Sequence, residues 1–248
     1  MDYRQASPSI NIIQMKIALL GYGKMGKEIE QIALQRGHSI VSILDIDTKN
    51  FNFKAANVAI DFSVPTAAFN NISLALNNHI PVISGTTGWL KHYQEAVDLC
   101  KATKGAMIYA SNFSLGVNLF FELNVKLAQI MAKFDNYQVA IDETHHTEKK
   151  DAPSGTAISL AEQIINNSSK SGWALNANSD KEIINIKANR LPDVPGTHWV
   201  NYTSAIDEIS IKHEAFNRKG FALGAVLAAE WIIGKQGVFG MKDVLNIG

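Results

Sequence analysis

The sequence predicts an α/β fold in which a parallel-sheet domain is joined to a second, α+β domain. Over the first 110 residues, short apolar stretches alternate with helical patterns. Those stretches are apolar on both faces, which is typical of parallel strands that helices cover on both sides. After about residue 112 the apolar residues of each stretch alternate with polar ones, which indicates a sheet with one open face.

Five strands are predicted in the first part of the chain, and helical patterns separate most of them. These strands are residues 16–20, 39–45, 57–62, 80–85 and 106–111. Helices are predicted around residues 25–36 and 89–103. A further helix is expected to begin at Pro65, because proline favours the first turn of a helix.

The second part of the chain predicts two helices followed by strands. The helices are residues 115–133 and 159–165, and the strands are residues 137–143, 182–188, 198–204 and 208–215. The last two strands are expected to form a hairpin. An apolar helix over 221–233 is expected to pack back onto the first domain. We therefore predict one domain over residues 15–112, completed by a C-terminal helix over 220–248, and an inserted domain over residues 113–219.

Composition excludes several classes of partner. Lys plus Arg equals Asp plus Glu, 23 each, so no overall field attracts nucleic acid or an anionic membrane. Cys100 is the only cysteine, which excludes a disulfide within the chain and favours a cytoplasmic location. Residues 1–14 lack the apolar core of a signal peptide, and we expect a disordered tail there. An upstream start codon in place of Met15 is the other explanation.

A glycine pattern, GYGKMG, follows the first strand and opens the first helix, with Gly21, Gly23 and Gly26 in the order G-x-G-x-x-G. The first glycine permits a tight turn, the second lets a pyrophosphate approach the backbone, and the third lets helix and strand pack closely. Asp45, at the end of the second strand, is placed to accept hydrogen bonds from an adenosine ribose. The pattern predicts a Rossmann-type dinucleotide-binding domain, and a glycine turn without a ligand is the alternative.

Two small polar loops follow the fourth and fifth strands. They are GTTG at residues 85–88 and ASNFS at residues 110–114. Ordinary turn chemistry explains either loop alone. Because ligands of such sheets lie beyond the carboxyl ends of the strands, the two loops together with the glycine turn favour a nicotinamide site.

Residues 143–156, ETHHTEKKDAPSGT, concentrate groups that can transfer protons or hold anions. A metal site is one alternative, because Glu143, His145, His146 and Glu148 are all ligand types. Adjacent residues of an extended chain point to opposite faces, so the two histidines do not suit one ion, and we predict no metal. A solvated charged loop is the other alternative.

The end of the same segment predicts a carboxylate site. Ser154 is a candidate N-cap, with Gly155 and Thr156 in the first turn of a helix. Open amides at that turn, with Lys149 and Lys150 nearby, suit a carboxylate. Histidines, cations and a helix start together indicate a small anionic substrate that receives a proton.

These segments resemble the 4-hydroxy-tetrahydrodipicolinate reductase (dihydrodipicolinate reductase) family over nearly the whole chain from Met15. The resemblance lies in GYGKMG, IDFSVP, GTTG, ASNFSLGVN, DETHHTEKKDAPSGTA and NRKGFALGAV. The string His-His-x-x-Lys-x-Asp-Ala-Pro-Ser-Gly-Thr is highly specific. The resemblance implies an oxidoreductase that transfers a hydride from NADH or NADPH to a cyclic imine dicarboxylate, in the diaminopimelate route to L-lysine.

The resemblance also implies roles for individual residues. His145 corresponds to the proton donor and acceptor, and Lys149 to the proton donor to the substrate. The residues implied to contact the substrate are His146, Gly155 and Thr156, and Arg218 and Lys219 match a region near it. The residues implied to bind the cofactor are Gly21, Tyr22, Gly23, Lys24, Met25, Gly26, Asp45, Gly85, Thr86, Thr87, Ala110, Ser111, Asn112 and Phe113.

The resemblance further implies a homotetramer built through the sheet of the second domain. Strands 182–188 and 198–204 are expected to leave an exposed edge in a monomer, and exposed edges invite pairing. For the cofactor, we expect NADH to be preferred over NADPH. Ile46 rather than an arginine follows Asp45, and Asp47 adds a second acid, although Lys49 could reach a phosphate.

Two other classes of protein stay open. One is a dinucleotide-binding sensor without catalysis, which has no reason to keep His145 together with Lys149. The other is a related two-domain reductase that acts on another small anionic substrate. Such an enzyme does not need the carboxylate site at Pro-Ser-Gly-Thr. Oxidation of NADH in the presence of the proposed substrate separates these classes.

Overall fold

A computed structural model gives the structure of residues 14–176 and 181–247. The tail predicted over residues 1–14 lies, apart from Gln14, outside the described residues. The chain divides into two compact units. The first unit comprises the chain up to Ala110 together with Ala225–Val244, and the second comprises Ser111–Gly224 with the residues from Leu245 onward.

The first unit is built on a six-stranded sheet in which every pairing is parallel. Its strands are β1 (Lys16–Leu20), β2 (Ser39–Leu44), β3 (Val58–Asp61), β4 (Val82–Ser84), β5 (Ala106–Tyr109) and β11 (Gly237–Phe239). Their order across the sheet is β11-β5-β4-β3-β1-β2. All residues of β3 and β4 are buried, as expected for central strands of a parallel sheet.

Helices connect these strands and cover the sheet. They are α1 (Lys24–Gln35), α2 (Pro65–Asn77) and α3 (Tyr93–Ala102). Helix α2 begins at Pro65 as predicted. Its buried residues Ile72 and Leu76 pack with Trp89 and with strand residues such as Val82 and Met107 in one hydrophobic cluster. None of the helices in the described part of the chain combines the length and apolar character that a bilayer crossing requires.

The second unit contains a mixed five-stranded sheet and two helices. Its strands are β6 (Gln138–His145), β7 (Gly172–Leu175), β8 (Ile183–Arg190), β9 (Gly196–Thr203) and β10 (Glu208–Ala215), and its helices are α4 (Leu115–Met131) and α5 (Gly155–Ile165). The strand order is β10-β9-β6-β8-β7, with β9 antiparallel to both of its neighbours. Alternate residues of β6, β8 and β9, including Ile141, Ile186 and Val200, form the core with the two helices.

The α/β class predicted from the sequence is confirmed, and so are the fifteen predicted strands and helices from 16–20 to 221–233, to within about four residues at each end. The single C-terminal helix over 220–248 is wrong. Helix α6 (Lys219–Ile232) ends early, and β11 and α7 (Met241–Leu245) follow it. Gly234 and Gly237 have φ of +76° and +128°. These left-handed conformations prevent the chain from continuing as a helix from α6 into residues 233–237.

The exposed edge predicted for strands 182–188 and 198–204 is also wrong. Both strands, β8 and β9, lie inside the sheet, and its edges are β7 and β10. Strand β10 covers β9 as its hairpin partner, and β7, a four-residue strand that the sequence pattern did not reveal, covers β8.

Candidate active site

The glycine turn of the first unit has the geometry that its pattern predicts. Gly21 has φ of +98°, and a Cβ atom there would lie 2.4 Å from the carbonyl oxygen of Phe62. A Cβ on Gly26 would lie 2.4 Å from the oxygen of Gly21, so only glycine allows this close packing of helix on turn. Nothing lies within 4 Å of a Cβ on Gly23. Because α1 begins at Lys24, the turn presents open backbone and helix-start amides that fit a diphosphate.

Other predicted cofactor residues follow the carboxyl ends of neighbouring parallel strands. Asp45 follows β2, Gly85 to Thr87 follow β4, and Ala110 follows β5. Since these strands are parallel, the sheet brings the three positions and the glycine turn to one edge. The Asp45 amide donates to Thr48 Oγ1 at 2.9 Å, while its carboxylate is exposed.

The remaining predicted cofactor residues have less uniform surroundings. In the glycine turn, the Tyr22 hydroxyl donates to Glu30, Lys24 is exposed, and Met25 is half-buried. Ser111, Asn112 and Phe113 belong to the second unit. Asn112 Oδ1 accepts from the Ser114 amide at 2.9 Å at the start of α4, and the Phe113 side chain is buried.

A buried carboxylate, which the sequence patterns did not reveal, lies at the same edge of the first unit. Asp61 ends β3 and is fully buried. Its Oδ1 accepts from Ser63 Oγ at 2.6 Å and from Asn71 Nδ2 at 2.9 Å. Its Oδ2 accepts from Ser84 Oγ at 2.9 Å and from Thr86 Oγ1 at 2.8 Å. Asp61 therefore fixes the residues that begin the loops after β3 and β4.

The second unit holds its own buried carboxylate, Glu143, within β6. Glu143 is fully buried, so the expectation of a solvated charged loop is wrong for the start of residues 143–156. Its Oε1 accepts from the Ser154 amide at 3.0 Å and from the Arg190 guanidinium at 3.2 and 3.3 Å. Its Oε2 lies 3.1 Å from His145 Nδ1, at ion-pair distance although without hydrogen-bond geometry. Burial raises the pKa of Glu143, but the contacts with His145 and Ser154 outweigh it and lower the pKa to about 2.

Arg190, at the end of β8, ties the rest of the segment to Glu143. Its Nε donates to the carbonyl of Lys149 at 3.3 Å and its Nη2 to the carbonyl of Asp151 at 2.5 Å. The Lys149 ammonium lies 2.8 Å from the Asp151 carboxylate. One guanidinium therefore holds both the buried carboxylate and the backbone that carries Lys149.

His145 shares the buried cluster with a second histidine from β9. The rings of His145 and His198 have centroids 5.0 Å apart. Burial and the neighbouring His145 lower the pKa of His198 to about 3, so it is neutral near pH 7. A Cβ on Gly196 would lie 3.0 Å from His145 Nε2, so this glycine keeps space beside the nitrogen that faces away from Glu143.

The carboxylate site predicted at the start of α5 has the expected local geometry. Ser154 is the N-cap, because its Oγ accepts from the Ala157 amide at 3.2 Å. Nothing lies within 4 Å of a Cβ on Gly155, and Thr156 is half-buried. The first-turn amides of Gly155 and Thr156 have no intrahelical acceptor, so they are available to an anion. His146 is also half-buried, with its Nδ1 buried and unpaired among the described residues.

The ligand types considered for a metal do not come together as a set. Within residues 14–176 and 181–247, a possible metal cluster consists of Glu143, His145 and His198. It therefore includes neither His146 nor Glu148. The Arg190 guanidinium, 3.2 Å from Glu143 Oε1, already provides the positive charge that an ion would bring. This arrangement favours a carboxylate–histidine pair over a metal centre.

Sequence patterns missed Asp61, Arg190 and His198. The signal for Asp61 was present, because a charged residue in an otherwise apolar central strand requires a polar shell. Arg190 and His198 gave no such signal. They lie 47 residues from Glu143 and 44 residues from Ser154 respectively, and only the sheet order brings them to the cluster.

Two family models match the chain. The one described as "Dihydrodipicolinate reductase, N-terminus" matches residues 15–113, and the one described as "Dihydrodipicolinate reductase, C-terminus" matches residues 116–245. Their boundary lies next to the start of α4.

Curated relatives match most of this chain. A 4-hydroxy-tetrahydrodipicolinate reductase of Christiangramia forsetii is 55% identical over 235 residues, which cover 94% of this chain and 98% of the relative. One from Methanoculleus marisnigri is 35% identical over 200 residues, covering 79% and 78%. Among solved structures, a dipicolinate-bound dihydrodipicolinate reductase from Paenisporosarcina sp. TG-14 has a TM-score of 0.73 at 22% identity, covering 92% of this chain and 98% of that one. This last likeness is one of fold.

Proposed function

Because the chain belongs to the dihydrodipicolinate reductase family, we propose how its own residues divide the work of that family's reaction. The chain is an oxidoreductase that reduces 4-hydroxy-tetrahydrodipicolinate to tetrahydrodipicolinate with a nicotinamide cofactor, in the diaminopimelate route to lysine. The first unit binds the cofactor, and the second unit binds the substrate and transfers protons.

We assign proton transfer to His145 and Lys149, and the observation that carries this assignment is the Glu143 cluster. The nicotinamide supplies the hydride. Hydride addition to a conjugated imine builds negative charge at nitrogen, so a nearby acid lowers the barrier. Glu143 lies beside His145 Nδ1, which supports Nε2 as the atom that exchanges a proton with the substrate. Arg190 holds the Lys149 backbone, which limits the positions that its ammonium can reach.

The start of α5 is the proposed site for a substrate carboxylate. The amides of Gly155 and Thr156 and the space above Gly155 suit a carboxylate that approaches along the helix axis. His146 and Lys149 lie in the same segment and supply further donors. The Lys149 ammonium has three donors and gives one to Asp151, so the others can bind the substrate.

We further propose that NADH is the preferred cofactor. The Asp45 carboxylate is exposed at the end of β2, beside the edge that carries the glycine turn. A carboxylate there can accept from both hydroxyls of an adenosine ribose and repels a 2′-phosphate. Ile46 is 94% exposed, and its side chain offers no donor to such a phosphate.

For assembly, we propose a homotetramer that forms through the open face of the second unit's sheet. The helices α4 and α5 cover the opposite face. On the open face, Lys212 lies over the Trp199 ring, with its ammonium 5.0 Å from the ring centroid, and Asn201 donates to Asp142 at 3.0 Å. A stable monomer in sedimentation at micromolar concentration contradicts this proposal.

A cytoplasmic location is proposed as well, since Cys100 is buried as a free thiol.

The experiment that tests the activity is NADH oxidation with the product of dihydrodipicolinate synthase, generated in situ because the substrate is a reactive cyclic compound. Oxidation is expected only when the synthase, its substrates and this protein are all present. Binding of NADH without oxidation would instead indicate a dinucleotide sensor. Oxidation that does not depend on the synthase product would indicate a reductase of another substrate.

A further inference from the structure

The buried charge of Asp61 has no counter-ion among the described residues. Its four partners, Ser63, Asn71, Ser84 and Thr86, are all neutral, and none of the ion pairs formed within residues 14–176 and 181–247 includes it. Burial raises the pKa of Asp61 above its usual value, and the hydrogen bonds from these partners offset that rise only in part. Burying an ionised carboxylate removes its hydration and lowers the free energy of unfolding. Most buried charges in proteins are therefore paired with an opposite charge.

The hydrogen-bond shell favours the ionised form of Asp61. The Thr86 hydroxyl accepts from the Ser63 amide at 2.8 Å, and the Ser63 hydroxyl accepts from Asn71 Nδ2 at 3.0 Å. Both hydroxyls are therefore oriented to donate to Asp61, and the Asn71 amide nitrogen can only donate. The protein has placed four donors around a carboxylate and has not placed a cation beside it.

The position of this charge relates it to the proposed cofactor site. In the parallel register, Asp61 lies level with Leu20 of β1 and Ser84 of β4. Gly21 follows Leu20 and Gly85 follows Ser84 in the sequence. The Asp61 carboxylate therefore lies at the level where both of these loops begin. Thr86, which donates to Asp61, belongs to the loop proposed for the nicotinamide end.

We propose that the buried carboxylate of Asp61 favours the oxidised, positively charged form of the bound nicotinamide and so strengthens the cofactor as a hydride donor. The proposal rests on the nicotinamide assignment above. When a hydride leaves with its electron pair, the formal charge of the ring changes from zero to plus one. A fixed negative charge nearby stabilises that change, and in a poorly solvated site it does so over several ångströms.

Binding measurements on Asp61→Asn test the charge separately from the fold. The dissociation constants of NAD⁺ and NADH are measured by calorimetry for the wild type and the variant. The ratio Kd(NAD⁺)/Kd(NADH) is expected to rise roughly five- to tenfold in Asp61→Asn, because the two forms differ by the positive ring charge that only NAD⁺ carries. The control is Ser84→Ala, which removes one hydrogen bond and keeps the charge. It is expected to weaken both forms alike and leave the ratio unchanged.

A second measurement needs no variant. Linkage requires the pKa of Asp61 to be lower with NAD⁺ bound than with NADH bound, and carbon NMR of labelled aspartate in the wild-type protein reads this directly. Equal pKa values in the two complexes overturn the proposal, even if Asp61→Asn does not fold. An unchanged Kd ratio in a folded Asp61→Asn overturns it too. A wild type that binds neither dinucleotide instead refutes the nicotinamide assignment itself.

Discussion

Among the described residues, each unit has one fully buried carboxylate on a central strand, Asp61 at the end of β3 and Glu143 near the end of β6, and their surroundings are opposite. Glu143 faces the Arg190 guanidinium and two histidines, and its pKa is lowered to about 2. Asp61 faces hydroxyl and amide donors with no cation, and burial raises its pKa. Both carboxylates are fully buried, so burial alone does not explain the difference.

The difference indicates two uses of a buried negative charge. The charge of Glu143 is neutralised locally, so its effect is to hold Arg190, His145 and the start of α5 in a fixed arrangement. The charge of Asp61 is solvated by dipoles and stays uncompensated, so its field extends into the neighbouring loops. The first arrangement organises proton-transfer groups, and the second suits a cofactor whose own charge changes.

Neutralising each carboxylate in turn should have the largest effect on stability and should differ between the two units. Glu143→Gln is expected to lower the free energy of unfolding by about 3 kcal/mol, because the half-buried Arg190 guanidinium loses its fully buried counter-ion. Asp61→Asn should lower it by only about 1 kcal/mol, because it leaves hydroxyl donors unpaired but no charge. Urea denaturation of both variants gives the two values. Equal losses would show that the ionic partner of Glu143 adds nothing to stability.

Substitutions of the proposed proton-transfer residues should lower turnover without weakening cofactor binding. His145→Gln and Lys149→Ala are each expected to lower kcat by roughly 10²-fold or more, the usual contribution of a positioned acid. The dissociation constant of NADH should change little, because neither residue belongs to the segments proposed to bind the cofactor. Steady-state kinetics and calorimetry give the two quantities.

The matched control for Lys149 is its exposed neighbour. Lys150→Ala removes the same charge one residue further on and is expected to leave kcat within about threefold of the wild type, because exposed charges interact weakly through water. Near wild-type turnover in both His145→Gln and Lys149→Ala would refute their roles. A large loss in Lys150→Ala would shift the role of proton donor toward that residue.

The pH dependence of stability tests whether His198, in the Glu143 cluster, is neutral in the folded protein. The pKa of His198 is lowered to about 3, so the unfolded chain takes up a proton there below about pH 6.5 while the folded chain does not. Stability linked to His198 is therefore lost as the pH falls. Between about pH 7 and about pH 5 the loss should be about 2 kcal/mol larger in the wild type than in His198→Asn.

Urea denaturation at the two pH values checks this, and His79→Asn is the control. His79 is exposed with φ of +56°, a conformation that asparagine tolerates. His79→Asn should keep the wild-type pH dependence. If His198→Asn keeps it as well, His198 is not the buried neutral histidine that the geometry indicates.

These contrasts also show how far the sequence alone could predict the site. The glycine turn, the start of α2 at Pro65 and the Ser154 cap follow from local patterns and were predicted correctly. Glu143 was recognised only as a possible ligand, since its partner Arg190 lies 47 residues away. Strand order decides which distant residues meet. β7 and β11, with four and three residues, lie outside any recognised apolar run, whereas the equally short β4 lies within the run 80–85.

The smallest expected effect concerns a third carboxylate, Asp45, which is exposed where Asp61 is buried. We expect kcat/KM to favour NADH over NADPH in the wild type, because a 2′-phosphate beside Asp45 meets like charge. Water screens an exposed carboxylate, so the preference that Asp45 adds should be on the order of tenfold, well below what a buried charge could give. Lys49 opposes it, because its ammonium can reach a phosphate as a point charge.

The test is the ratio of kcat/KM for the two cofactors at fixed ionic strength, in the wild type and in Asp45→Ala. The ratio should fall toward unity in Asp45→Ala, and added salt should reduce the wild-type preference because the repulsion is screened. Asp47→Ala, two residues on and also exposed, should change the ratio less. A wild-type preference for NADPH contradicts the proposed cofactor choice. An unchanged ratio in Asp45→Ala, with NADH still preferred, would mean that a residue other than Asp45 discriminates between the cofactors.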